Sequence, residues 1–115
     1  MMTQKLLGRL IGGGVCLVNI QDITAIQSNI HEQKIYLRDG KEVGIRQTLI
    51  SLKEELDKNA PGQFIDCSKG VLINALAVSF IYADHVVVTS GQSFPLAQRN
   101  YRKFQQKITS YLGVE

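Results

Sequence analysis

The chain has 115 residues, 44% of them hydrophobic and 20% charged, and carries a formal net charge of +3. That length and balance suit one domain, residues 1–115, with a core of its own, and they exclude a disordered chain. Cys16 and Cys67 have no paired spacing, which excludes a disulfide framework and points to reduced thiols in the cytoplasm.

The chain opens with an apolar run, Leu6 to Ile11, that Arg9 interrupts and no small-residue cleavage site follows. This is a poor secretory leader. No stretch approaches the roughly 20 apolar residues of a membrane span, so no membrane partner is expected. Gly12-Gly13-Gly14 lacks the Lys-Ser/Thr of a phosphate loop and reads as a flexible lead-in to the first strand. Residues 15–20 alternate weakly, and residues 22–28 read as a strand with Ile26 inward. Residues 34–38 and 42–46 flank Asp39-Gly40, a hairpin signal because both residues tolerate positive φ, and a two-residue turn is expected.

The period then changes. Leu49, Leu52 and Leu56 recur at helical spacing, predicting a helix over 48–58 that Asn59-Ala60-Pro61-Gly62 stops. Either Thr48 or Ser51 can cap its start, Ser51 with Glu54 forming a capping box. Strands are predicted at 64–67, 71–74, 78–81, 86–89 and 92–96, with turns at Ala83-Asp84 and Ser90-Gly91. Tyr101, Phe104, Ile108 and Leu112 then predict a second helix over 99–111. The fold class is mainly β, an elongated antiparallel arrangement with two short helices.

Candidate chemistry is sparse. Cys16, His31, Cys67 and His85 occur singly, without the close pairs of a zinc site, so no metal is expected. Asp84 and His85 are adjacent, so their side chains are expected to diverge, and no serine sits in a nucleophile elbow. Neither catalysis, a cofactor nor a small-molecule substrate is expected. Charge is the better signal. Between Ala97 and Leu112 stand Arg99, Arg102, Lys103 and Lys107 with no acid, a local basic cluster of the kind that steers phosphate.

Several motifs in order resemble the LytTR family of bacterial DNA-binding domains, found mostly at the C-terminus of response regulators and sometimes alone, the stand-alone form being the one expected here. They are Asp22-Ile23-x-x-Ile26, Ile35-x-Leu37-x-Asp39-Gly40-Lys41-Glu42, and Arg46-Gln47-Thr48-Leu49-x-x-Leu52-x-x-Glu55-Leu56. Phe64-x-x-Cys67, Val71-Leu72-Ile73-Asn74, Ser90-Gly91, Pro95-Leu96 and Arg99-x-Tyr101 follow. The resemblance implies a transcriptional regulator that sets loops into the major grooves of double-stranded DNA. The implied contacts are His31 to Lys34, Ser68 and Lys69, and Gln98 and Arg99, with Arg102 and Lys103 behind. The family's usual histidine-arginine-serine is Ser68-Lys69-Gly70 here, and its serine-arginine-arginine is Ala97-Gln98-Arg99. The guanine-reading fork thus reduces to Arg99, with Gln98 able to pair adenine. Asp66 stands where the family commonly has arginine and is expected to pair with Lys69. With no receiver domain, phosphorylation control would come from another chain. The alternative is a degenerate domain whose partner is a protein, such as a related regulator. A homodimer is the other partnership considered.

Overall fold

Three antiparallel sheets and two helices make up the computed structural model, which describes residues 4–30 and 32–114. A hairpin comes first, β1 (Lys5–Arg9) with β2 (Val15–Asn19). The central sheet contains β3 (Ile23–Ser28), β4 (Gln33–Leu37), β5 (Glu42–Ile45), β6 (Phe64–Ser68) and β7 (Val71–Asn74), in the order β5-β4-β3-β7-β6. The third sheet orders β8 (Val78–Ile81), β9 (His85–Val88) and β10 (Ser93–Pro95) as β10-β9-β8. Helix α1 spans Leu49–Asn59 and α2 spans Tyr101–Leu112. The predicted class, mainly antiparallel β with two short helices, is the observed one.

The central sheet is covered on both faces. Ile26, Ile35 and Leu72 pack with Leu6 and Val18 of the hairpin and with Leu52 and Leu56 of α1. Ala25, Ile65, Cys67 and Ile73 pack on the other side with Val86, Val88, Phe94, Phe104 and Ile108. Burial on two faces explains why β3 and β7 do not alternate cleanly: four residues of each, from Ile23 and from Val71, are fully enclosed. A register shift between Ile23 and Ala25 lets Ile23 join Ile26 on the α1 side. Thr24, caught in this shift, donates its hydroxyl to the Tyr36 carbonyl at 3.2 Å.

The chain changes sheet twice by one device. Asn19 accepts from Gln21 N–H and caps a 3-10 turn, Ile20–Asp22, between β2 and β3. Asn74 does the same through Leu76 N–H for Ala75–Ala77, between β7 and β8. Asn74 is fully buried, and its Nδ2 also donates to Ile23 C=O at 2.7 Å while its Oδ1 accepts from Gln63 Nε2 at 3.1 Å.

Three readings need correction. Strand β1 was not foreseen, and the glycine run is the turn between β1 and β2 rather than a lead-in to the first strand. The Gly12, Gly13 and Gly14 φ angles of 89°, 111° and 86° suit that turn. The Asp39-Gly40 hairpin closes through Leu37 N–H to Lys41 C=O at 2.9 Å, a loop of three residues rather than two. Only Gly40 is left-handed, at φ 88°, because Arg38 and Asp39 form the turn and glycine reverses it. Of the two candidate caps, Thr48 takes the role for α1, accepting from Ser51 N–H at 3.1 Å.

A Cβ at Gly40 would meet nothing within 4 Å, so Gly40→Ala tests backbone strain alone. The left-handed angle should cost about 1–2 kcal/mol, read as a lower midpoint in urea denaturation.

Candidate nucleic-acid interface

Three connections come together along one border of the central sheet. Ser28, the last residue of β3, donates its N–H to Gly70 C=O at 2.7 Å, which seats the Lys69-Gly70 turn beside the β3–β4 connection. Cys67 donates its S–H to Pro95 C=O at 3.4 Å, which holds the end of β10 against β6. From there the chain enters a 3-10 turn, Gln98–Asn100, and continues as α2. Ser68 and Lys69 therefore lie between the β3–β4 connection and the turn bearing Gln98 and Arg99.

Packing fixes how these side chains are presented. Leu96 is buried just before the turn, and Phe104 and Ile108 are buried just after it. Lys69, Gln98 and Arg99 are exposed, and Ser68 is half-buried. Tyr36 adds a brace that the sequence did not reveal. Its ring meets Phe94 edge-on at 4.9 Å and its hydroxyl donates to Gln27 Oε1 at 3.2 Å, joining β3, β4 and β10. Lys34 sits on β4 beside Ser28, Asn29 and Tyr36. His31 lies outside the described residues.

The cations differ in what they already hold. Lys34 pairs with Glu42 at 3.3 Å, and the hydrogen bond to that carboxylate raises the lysine above its ordinary value. Among the described residues, Lys69, Arg99, Arg102, Lys103 and Lys107 have no acidic oxygen within 4.0 Å. Asp66 pairs with Lys53 of α1 at 3.0 Å, not with Lys69 as expected. The reason is strand alternation: Phe64 and Asp66 face α1, and a register shift between Asp66 and Ser68 separates Asp66 from the turn.

The terminal helix does not present one patch. Lys103 and Lys107, four residues apart, share one side of α2 and line a groove with Phe64, Asp66 and Tyr111. Arg102 does not line that groove, and helical geometry places it on the opposite flank.

Other titratable groups offer little chemistry. Asp84 Oδ1 lies 2.6 Å from His85 Nδ1, so these side chains meet rather than diverge. The turn that Tyr82 N–H closes onto His85 C=O at 2.8 Å lets the short aspartate reach back. The imidazole holds the Asp84 carboxyl below its usual value, and the His85 ring stacks on Tyr82 at 4.5 Å. Burial pushes the Cys67 thiol up to about 11, which makes it a poor nucleophile near neutral pH. Among the described residues no three His, Cys, Asp or Glu side chains cluster as metal ligands. No helix among them is long and apolar enough to cross a membrane.

Comparison with curated proteins finds no match. Among solved structures, the chain is similar to the "LytTr DNA-binding domain of putative methyl-accepting/DNA response regulator from Bacillus cereus", with a TM-score of 0.70 at 15% identity. That likeness covers 94% of this chain and 97% of the other, and it is a likeness of fold. The family model described as the LytTr DNA-binding domain matches residues 13–109, from the first glycine turn to the last turns of α2. The order of motifs from Asp22 to Tyr101 and the three adjoining connections thus have one source: the chain belongs to the LytTR family of DNA-binding domains.

Proposed function

We propose that this chain is a transcriptional regulator that binds double-stranded DNA sequence-specifically, presenting loops rather than a recognition helix to the major groove. Arg99 reads a base, Ser68, Lys69 and Gln98 assist, and Arg102, Lys103, Lys34 and His31 hold phosphates. The observation that carries this reading is the juxtaposition of the Lys69 turn with the Arg99 turn, both with cations unpaired among the described residues. Lys69, exposed on one connection, can meet the closely spaced charges of a DNA backbone, while Arg99 on the adjoining one reaches a base edge. A cytoplasmic bacterial setting, alongside a response regulator or within one, accords with this role.

The test is affinity against ionic strength, measured on a duplex from the protein's own promoter region and on random duplex. Neutralising about four phosphates should make log affinity fall with log salt at a slope of roughly −3.5. Absence of binding at low salt, or affinity indifferent to salt, would instead support a domain that acts through a related regulator.

A further inference from the structure

β6 is an edge of the central sheet, flanked by α1 on one face and α2 on the other. The groove between this edge and α2 has a volume of about 630 Å³. Gln63 C=O accepts from Ala75 N–H at 2.8 Å. Antiparallel alternation then turns Ile65 towards β7 and leaves the backbone groups of Phe64 and Asp66 directed outward. Such an edge is a template for an added strand. Phe64 and Tyr111 supply apolar surface beside it, and Lys103 and Lys107 stand along it with no acid within 4.0 Å among the described residues.

We propose that this groove binds an acidic, extended segment of a partner protein, added as a strand beside β6 with its carboxylates set against Lys103 and Lys107. Charge and symmetry select that occupant. A second copy pairing the whole of β6, Phe64–Ser68, antiparallel about a two-fold axis would centre on Asp66 and set it opposite Asp66, where like charges are destabilising. Duplex DNA cannot use the outward backbone groups. A partner strand uses both the backbone groups and the lysines. The proposal shares Lys103 with the phosphate contacts proposed above, so DNA and the partner strand would compete for that lysine, and it is independent of which bases the Arg99 and Lys69 loops read.

The test uses the intact chain and fluorescently labelled short peptides that alternate valine with glutamate, valine with lysine, or valine with glutamate N-methylated at every second amide. Binding is read by anisotropy and by backbone amide NMR shifts. The glutamate peptide should bind and shift Phe64 and Asp66 most. The lysine and N-methylated peptides should each bind about tenfold more weakly or worse, as should the glutamate peptide on the Lys103→Gln/Lys107→Gln variant. Comparing the peptides on unaltered protein keeps the test independent of that variant's folding. No binding of the glutamate peptide, equal binding after N-methylation, or shifts centred on Lys69 and Arg99 would overturn the proposal. So would duplex DNA that moves the Phe64 and Asp66 amides as strongly as the peptide does.

Discussion

Arg99→Ala is expected to lower the ratio of specific to random duplex affinity by roughly 5- to 150-fold, the range that corresponds to about 1–3 kcal/mol for a bidentate arginine–guanine contact. The size of the effect follows from how the residue is held. Leu96 before it and Phe104 after it are nearly fully enclosed, so the turn between them is anchored at both ends. The Arg99 side chain is exposed and has no ion-pair partner within 4.0 Å among the described residues. Its guanidinium is therefore available to offer two parallel donors without first breaking an internal pair. Lys103→Ala, which removes one point charge, should weaken both duplexes alike and flatten the salt slope by about one unit. Competition gel shifts on the two variants separate these outcomes. An unchanged ratio for Arg99→Ala would remove the base-reading role.

Asn74→Ala should destabilise the fold by about 3 kcal/mol or more, since each buried polar group left unpaired costs about 1–3 kcal/mol. Asn74 satisfies Ile23 C=O, Leu76 N–H and Gln63 Nε2 simultaneously from a fully buried position. Alanine leaves all three without that partner, at the corner where the chain passes from the central sheet to the third sheet. Asn19→Ala removes a similar cap from a half-buried site where only Gln21 N–H is lost, so its cost should be nearer 1 kcal/mol. Chemical denaturation of both variants measures the contrast, and equal losses would mean that the additional Asn74 bonds contribute nothing.

Local periodicity made the helices legible. Leu49, Leu52 and Leu56 mark α1, and Tyr101, Phe104 and Ile108 mark α2, because a helix declares itself in residues three and four apart. The hairpin at Gly40 was also legible in place, though not in geometry. Two- and three-residue loops both accept Asp-Gly, and strand twist decides between them. β1 was hidden because its partner lies across a glycine turn and its apolar residues resemble a leader. The Lys53–Asp66 pair spans 13 residues and two elements, and nothing local announces it. Family resemblance, carried by the order of motifs, pointed to the Ser68, Lys69 and Arg99 connections, and spacing alone would have separated Lys103 and Lys107 from Arg102.

The central sheet's two enclosed faces bear on binding as well as on stability. The Lys69-Gly70 turn joins β6 to β7, whose apolar side chains are clamped from above and below. It cannot swing without disturbing strands that the cores hold. Its conformational entropy is surrendered when the chain folds, not when a ligand arrives, so the turn is pre-organised for whatever it grips.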